Sequence, residues 1–127
     1  MKREFSRLPA SELRIMQALW QGHPQMSRQE IQEIVNRQRR LAPTTINSLL
    51  ARLENKGFVS VKKEGKNNLY TVLVEQDEYR GLESRAVLGQ VFDNSLTSFV
   101  RALYRGKQIP EEKLEELEEL VKSLEEQ

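Results

Sequence analysis

Residues 43–74 limit the possible folds of this chain more than any other segment. A helical pattern begins at Pro43 and stops at Gly57, and two β-branched runs follow, joined by a turn of lysine, glutamate and glycine. Proline suits the first position of a helix because its missing N–H has no partner there, and glycine suits the left-handed residue after a helix end. The order helix, strand, turn, strand predicts a winged helix, in which the helix enters a DNA groove and the turn contacts the backbone.

The predicted helix that begins at Pro43 has two unlike faces. An apolar stripe roughly 100° wide is formed by Ile46, Leu49, Leu50 and Leu53. The opposite face carries Thr44, Ser48 and Asn55. A solvated helix face is usually rich in charged residues, whereas this one is small, neutral and able to form hydrogen bonds. We therefore expect the outer face to approach a polyanion and its base edges closely.

The charges of the chain are segregated, although their sum is only +1. Residues 1–74 contain 13 Lys/Arg and 6 Asp/Glu, a net charge of +7, and residues 75–127 contain 7 Lys/Arg and 13 Asp/Glu, a net charge of −6. Such an asymmetry indicates that one half faces a polyanion. The alternative, a Glu-rich terminal helix that keeps the protein soluble, explains the acidic half but not the basic half.

Several classes of protein are excluded by what the sequence lacks. It has no apolar window of about eighteen residues, so we expect no membrane span. The first residues lack an apolar signal core, and we expect a cytoplasmic protein. The absence of cysteine excludes disulfides and thiolate metal sites. We find no phosphate loop, metal-ligand spacing or nucleophile–base pair, so we expect that the protein is not an enzyme and binds no metal or cofactor. The single histidine, His23, lies between Gly22 and Pro24 and is predicted to be a loop residue rather than a catalytic base.

Three helices and two strands are predicted in the N-terminal half. The first helix covers residues 9–20 or 10–20. The second begins at Ser27, because Ser27 and Glu30 match a capping box, and it ends near Arg37. The two strands are predicted at residues 58–63 and 69–74, and the turn between them at residues 64–68.

After residue 74 the sequence changes to helical patterns over residues 75–90, 94–104 and 110–126, with a turn predicted at residues 106–110. We therefore predict a winged-helix domain over residues 1–74 and a helical dimerisation domain over residues 75–127, in a protein that is mostly α with a small β-wing. A segment this short rarely holds its own core without disulfides, metals or a partner.

The apolar residues of the helical domain are predicted to pack against the same helices of a second chain. The expected interface positions are Phe92, Leu96, Phe99, Leu103, Leu114, Leu117, Leu120, Val121 and Leu124. In the alternative arrangement, these residues pack back onto the N-terminal domain. A two-fold homodimer would present two copies of the outer helix face to a palindromic DNA site.

Base contacts are expected from the first turns of the third predicted helix. Thr44 offers a methyl group to thymine, and Asn47 can bond adenine N6 and N7 together. Thr45 and Ser48 are candidates for phosphate contacts beside the free N–H groups of the helix start. Because no arginine lies in these turns, we expect base contacts that favour A·T pairs.

Further contacts to the DNA backbone are expected from cations, which position a protein without specifying sequence. These residues are Arg52, Lys56, Lys62, Lys63 and Lys66. Several of the expected contacts have a simpler alternative: Thr45 could contribute only to the helix N-terminus, Arg52 could pair with a nearby glutamate, and Lys62 or Lys63 could be a solvated strand position.

Taken together, these residues resemble the penicillinase-repressor family, which includes BlaI and MecI, and the related copper repressor CopY. The resemblance rests on residues 12–20 (ELRIMQALW), 43–57 (PTTINSLLARLENKG) and 63–71 (KEGKNNLYT). It implies a dimeric winged-helix repressor that binds a dyad operator and dimerises through C-terminal helices. It also implies base reading by Thr44, Thr45 and Asn47, with a backbone contact by Arg52.

Three departures from this family limit what the resemblance implies. The β-lactam-responsive members have a lysine where this chain has Thr44, which should change operator preference or weaken binding. Those members are inactivated by a protease at an Asn-Phe bond, and the aligned bond here is Ala102–Leu103. The copper branch needs a cysteine-rich tail, which this chain lacks.

Two other classes of function remain as alternatives. A winged helix can serve protein–protein contact without DNA, but the net charge of +7 on residues 1–74 argues against it. A ligand-sensing regulator would need convergent polar groups on an apolar face of the C-terminal half, and none is evident in the sequence.

Overall fold

The computed structural model describes residues 5–105 and 110–125, with the side chains of residues 121, 124 and 125 outside the description. The chain divides into two compact units, Met1–Glu83 and Ser84–Gln127. The first unit extends past residue 74 because Tyr79 is buried in its core. The domain boundary after residue 74 stays a prediction.

The first unit contains three helices, a three-stranded sheet and the start of a fourth helix. The elements are α1 (Ala10–Gln21), β1 (Gln25–Ser27), α2 (Arg28–Asn36), α3 (Pro43–Asn55), β2 (Val59–Glu64), β3 (Asn67–Val72) and α4 (Gln76–Phe92). The strands are antiparallel in the order β1-β3-β2. The predicted fold class, mostly helical with a small wing, is confirmed.

Strand β1 is the element that the sequence analysis missed. Its three residues pair with β3, and Met26 lies opposite Tyr70. Met26 also explains Gly22 at the end of α1, because a Cβ atom on Gly22 would lie 2.3 Å from the Met26 sulfur. A side chain at position 22 would therefore require the flexible end of the Met26 side chain to move.

The capping box predicted at the start of α2 is confirmed. The Ser27 hydroxyl accepts a hydrogen bond from the backbone N–H of Glu30 at 3.2 Å, and Glu30 Oε1 accepts one from the backbone N–H of Ser27 at 3.0 Å. The backbone bond from Ser27 and then its side-chain bond lower the pKa of Glu30. The cap therefore stabilises the ionised carboxylate and the first turn of α2 together.

The core of the first unit forms around the inner stripe of α3. All four stripe residues are buried, and they pack with residues of α1, α2 and β2. The buried set includes Ile15, Met16, Leu19, Ile31, Val35, Ile46, Leu49, Leu50, Leu53, Phe58 and Val59. At about 1.5–3 kcal/mol for each large side chain, this burial is the main stabilising contribution to the unit.

An aromatic cluster closes the core beside the start of α4. Tyr79 lies 5.8 Å from the ring of Phe58 and 5.8 Å from that of Trp20. The backbone N–H of Leu8 donates to the Tyr79 hydroxyl at 2.7 Å, and Trp20 Nε1 donates to the Val74 carbonyl at 2.9 Å. Burial, and then the bond to Glu83, raises the pKa of Tyr79. These bonds satisfy the polar atoms that the cluster buries.

A charged pair joins α1 to the end of α3. Glu12 is only 2% exposed, and its Oε1 lies 2.5 Å from Nζ of Lys56, the residue that follows α3. The carboxylate lies in the first turn of α1 and the ammonium at the end of α3, so each charge complements the dipole of its own helix. The pair holds the end of α3 against α1.

The second unit holds the rest of α4 together with α5 (Leu96–Arg105) and α6 (Glu111–Glu125). Phe92 and Phe99 pack edge to face at 5.2 Å, across a turn in which Asp93 and Asn94 both have positive φ. Among its residues with described side chains, none is buried. The predicted turn at 106–110 lies, except for its last residue, outside the described residues.

Within residues 5–105 and 110–125, no helix combines the length and the apolar character needed to cross a bilayer.

Replacing Ser27 by alanine should cost about 1 kcal/mol of unfolding free energy, because the N–H of Glu30 loses its acceptor. Ser27→Asn should lose much less, because asparagine also caps helices. Urea unfolding of both variants at neutral pH measures this difference. The pKa of Glu30 is lowered from its ordinary value of 4.5. The ionised carboxylate therefore stabilises the folded state above about pH 4.5, and this stabilisation is lost as the pH falls below that value. An equal loss in both variants would contradict the capping role.

Replacing Lys56 by methionine should destabilise the protein by about 2 kcal/mol, because the buried carboxylate of Glu12 loses its partner. A fully buried pair would cost more, but the Lys56 side chain is 34% exposed. Urea unfolding measures this loss, and Lys62→Met, at an exposed lysine, is the control. Adding Glu12→Gln to Lys56→Met should recover part of the stability. Unchanged stability in Lys56→Met would show that the pair contributes nothing.

Candidate nucleic-acid interface

The first two turns of α3 present a small, polar and exposed surface. Thr44, Thr45, Asn47 and Ser48 are all exposed, while the stripe behind them is buried. The stripe is what orients them, since residues opposite a buried face must point to solvent. The structure thus brings together Thr44, Thr45 and Asn47, which were predicted to contact bases, and Ser48, which was predicted to contact the backbone.

The N-terminus of α3 is open to an anion. Its N-cap residue, Ala42, provides no side-chain hydrogen bond, and its first turn contains no acidic residue. The N–H groups of Thr44 and Thr45 precede the first intrahelical bond, which Ile46 donates to Ala42 at 3.1 Å. Such free N–H groups and the helix dipole attract phosphate. The N-terminus of α2 differs, because Glu30 already occupies it.

The wing is the hairpin of β2 and β3, and its turn is shorter than predicted. Only Gly65 and Lys66 lie between the strands. Gly65 has φ of +63°, whereas Lys66 has no positive φ, and this combination is that of a type II′ turn. Asn67 and Asn68, predicted as turn residues, instead pair with Glu64 and Lys63 in the ladder.

The lysines of the wing are all exposed, but they lie on different faces. Side chains alternate along a strand, so Lys63 shares a face with Val61, while Lys62 lies on the other. Val61 and its partner Tyr70 face α3 across a cleft. Lys63 is therefore on the side of the wing that faces α3, and Lys66 is at the tip.

The cleft between α3 and the wing has a volume of about 530 Å³. The side of α3 that lines it is a single row of Asn47, Ala51 and Glu54, spaced at i, i+4 and i+7. The other walls come from the start of α2 and from the wing. Their lining residues are Ser27, Arg28 and Gln29 of α2 and Val61, Lys66, Asn67, Asn68 and Tyr70 of the wing.

Arg28, Gln29 and Glu54 are residues of this cleft that the sequence analysis did not assign to the interface. A signal for α2 was available: in a helix-turn-helix the helix before the recognition helix crosses the DNA backbone. The capping box at Ser27 and Glu30 predicts where α2 begins, but it carries no information on whether Arg28 contacts DNA.

Two of the predicted backbone contacts differ in their surroundings. Arg52 is exposed on the last turn of α3, and in the described part of the chain it forms no ion pair. Lys56 is held by Glu12, which partly neutralises its charge. Arg52 is thus the better placed cation of the two for a phosphate contact.

The connector between α2 and α3 is held by side chains of α1 and α2. Arg14 of α1 donates to the carbonyl of Val35 at 2.8 Å and to that of Arg39. Asn36 Oδ1 accepts a bond from the backbone N–H of Leu41 at 3.0 Å. These bonds set the start of α3 relative to α2, a role that sequence spacing did not indicate.

The predicted dimer positions all belong to the second unit, and none with a described side chain is buried within one chain. Leu96 and Leu120 are 56% and 54% exposed. The half-buried positions are Phe92, Phe99, Leu103, Leu114 and Leu117. The side chains of Val121 and Leu124 lie outside the described residues. The bond Ala102–Leu103 lies within α5.

Comparisons with known proteins agree with this architecture. The penicillinase repressor of Bacillus licheniformis is 24% identical over 119 residues, which cover 94% of this chain and 92% of that protein. The methicillin resistance regulatory protein MecI of Mammaliicoccus sciuri is 27% identical over 114 residues, 90% of this chain and 92% of MecI.

Two solved structures are similar to 61% of this chain. The solution structure of the DNA-binding domain of the repressor BlaI matches with a TM-score of 0.53 and 26% identity, over 94% of that domain. The monomeric form of Bacillus licheniformis BlaI in complex with the blaP half-operator matches with a TM-score of 0.51, at the same identity and coverage.

A model of the penicillinase repressor family matches residues 8–123, nearly the whole chain. The resemblance inferred from the sequence motifs is thereby confirmed, and this chain belongs to the penicillinase repressor family.

Proposed function

We propose that this chain is a DNA-binding transcriptional repressor that acts as a homodimer on a dyad operator, without catalytic activity, in the cytoplasm. The observation that carries the proposal is the exposed polar face of α3, beside a lysine-bearing wing and at the open end of the helix. Membership in the penicillinase repressor family supports it. The solved complex of BlaI with a half-operator also supports the proposal, because the fold of BlaI in that complex is similar to that of this chain.

Base reading is assigned to Thr44, Thr45 and Asn47. When the first turns of α3 enter the major groove, the Asn47 amide can donate to adenine N7 and accept from N6 together. The threonines offer a methyl group to thymine and a hydroxyl to a base edge or a phosphate. Thr44 occupies the position where the β-lactam-responsive relatives carry lysine, so an operator preference different from theirs is expected.

Positioning on the duplex is assigned to residues that contact phosphates. Ser48 lies on the second turn of α3, Arg52 lies on its last turn, and Lys63 and Lys66 belong to the wing. Lys62, on the other face of β2, and Lys56, paired with Glu12, are expected to contribute less. Such contacts supply affinity and orientation but no sequence information.

Dimerisation is assigned to the second unit, because its helices bury no side chain among the described residues of one chain. Val91 is 68% exposed, and Leu96 and Leu120 are each more than half exposed. Large apolar side chains at such positions favour association with a complementary surface. A second copy of the unit would also place two α3 helices on a dyad.

An inactivating protease would act at the bond Ala102–Leu103, which aligns with the cleaved Asn-Phe bond of the β-lactam-responsive relatives but differs from it in both residues. Ala102 is exposed and Leu103 half-buried, and both lie inside a helix. A protease cleaves an extended segment more readily than a helix, so cleavage here would require local opening of α5.

Fluorescence anisotropy with labelled DNA tests the proposal. The wild-type chain selects a 30-bp duplex from a random pool, and its affinity for that duplex and for a scrambled one is measured across a salt series. If about six to ten phosphates are neutralised by each dimer, log K against log salt should have a slope of about −5 to −9. Equal binding to both duplexes, or a flat salt response, would contradict the proposal.

Replacing Asn47 by alanine should relax specificity at one base pair of each half-site, at a cost of about 1–3 kcal/mol there. Binding competition among duplexes with single base-pair changes measures this effect. Asn55→Ala is the matched control, because it removes the same amide from the last turn of α3, away from the base-reading end. Equal losses on selected and scrambled DNA would show that Asn47 does not read a base.

Replacing both Leu96 and Leu120 by glutamate should raise the dissociation constant of the dimer at least about a hundredfold, because four apolar contacts are lost and like charges face each other. Sedimentation equilibrium measures this constant. Thr97→Glu with Ser123→Glu adds the same charges at exposed polar positions of α5 and α6 and should change it little. A double leucine variant as dimeric as the wild type would remove these leucines from the interface.

A further inference from the structure

Arg14 is the residue of α1 that reaches the connector between α2 and α3. Its Nη2 donates to the carbonyl of Val35, near the end of α2, at 2.8 Å and to that of Arg39 in the connector. We propose that Arg14 is a positioning residue for base recognition, which touches no DNA and fixes the first turn of α3 through the connector. The inference rests on the proposed function and adds a determinant of sequence specificity that lies away from the DNA.

The first turn of α3 depends on the connector for its position. Its N-cap residue, Ala42, provides no side-chain hydrogen bond, and the first buried residue of the helix is Ile46. Thr44 and Thr45 lie between these two points, and both are exposed. Burial of the apolar stripe fixes the rotation of α3 about its axis. The tilt and position of the first turn also depend on how the residues before it are held.

The middle of the connector is held only weakly by its own backbone. Residues 37–40 are all exposed, so burial does not secure them. The N–H groups of Gln38 and Arg39 lie 3.3 and 3.5 Å from the Val35 carbonyl, beyond the usual hydrogen-bond range of about 2.7–3.2 Å. The Arg14 guanidinium bonds that same carbonyl and the carbonyl of Arg39. It therefore joins the end of α2 to the middle of the connector.

A second side chain holds the connector closer to α3. Asn36 Oδ1 accepts a hydrogen bond from the backbone N–H of Leu41 at 3.0 Å, and the half-buried Leu41 packs against the core. Pro43 begins α3 two residues later. Arg14 and Asn36 thus act on successive parts of one short segment, so both should affect the position of the first turn.

The surroundings of Arg14 are not those of a residue that mainly stabilises the fold. It is half-buried and forms no ion pair within residues 5–105 and 110–125. Its Nη1 is buried without a hydrogen-bond partner in the described part of the chain, which lowers stability. The dipole at the end of α2 partly offsets this loss. An apolar side chain of similar length should therefore leave stability nearly unchanged.

Sequence specificity is the quantity most sensitive to the position of the first turn. A bidentate contact between Asn47 and adenine requires two hydrogen bonds with correct distances and angles at once. A lysine that contacts phosphate is a point charge on a flexible stem, so it tolerates a small displacement. A shifted α3 should therefore lose affinity for a selected duplex and retain its affinity for a scrambled one. The ratio of these two affinities is the discrimination ratio.

Arg14→Met and Arg14→Lys are made in the full chain, and anisotropy is measured on the selected and scrambled 30-bp duplexes across a salt series. Arg14→Met should lower the discrimination ratio about tenfold for each protomer. Its salt slope should equal that of the wild type, because no phosphate contact is lost. Arg14→Lys keeps a charged donor directed at the same carbonyls and should retain most of the ratio.

The control variants separate positioning from charge and from stability. Arg37→Met removes an exposed arginine just after α2 and should leave the discrimination ratio unchanged. The urea midpoint of Arg14→Met should lie within about 0.5 M of the wild-type value. Asn36→Ala removes the acceptor of the second bond and should lower the ratio, whereas Asn36→Asp keeps an acceptor there and should retain it.

The outcomes separate this inference from the proposed function. A wild-type ratio that Arg14→Met leaves unchanged overturns the inference alone. An equal loss on both duplexes with a smaller salt slope also overturns it, because Arg14 would then contact phosphate. If Arg14→Met does not fold, equal ratios in Asn36→Ala and Asn36→Asp overturn the inference. A wild-type chain that does not discriminate between the duplexes overturns the proposed function together with it.

Discussion

The burial of one apolar stripe on α3 is the constraint on which the rest of the structure depends. Ile46, Leu50 and Leu53 are fully buried, and Leu49 nearly so. Turning the helix by a single residue, about 100°, would carry Asn47 towards the core and a leucine into solvent. Burial of an amide without partners costs several kcal/mol, as does exposure of the leucine. The interior thus determines which side chains of α3 can face DNA.

The elements with strong local signals could be predicted from the sequence alone. The stripe of α3, Pro43 at its start and the left-handed Gly57 after its end are all where the pattern placed them. The wing was predicted, but β3 begins at Asn67, two residues earlier than expected. Asparagine has a low strand propensity, and only pairing with β2 overrides it. Strand β1 has three residues, too few for alternation to be visible.

The outer face of the candidate site was predictable, but its surroundings were not. Thr44 and Asn47 follow from periodicity, because both lie outside the buried stripe, Thr44 opposite it and Asn47 beside it. The pairing of Glu12 with Lys56 joins residues 44 positions apart, and the cleft brings Arg28 close to the wing. Neither contact produces a local sequence pattern, because the sequence around a charged helical residue is the same whether that residue faces solvent or pairs with a distant lysine. Tertiary proximity is information that periodicity does not contain.

The position of Trp20 has a consequence for spectroscopy. It is the single tryptophan of the chain, and its indole bonds the Val74 carbonyl beside Tyr79 in the core of the first unit. Its emission therefore reports the unfolding of that unit alone, while far-ultraviolet dichroism follows the helices of both units. Separate transitions by the two probes would reveal units that melt independently, and coincident ones would reveal a single cooperative chain.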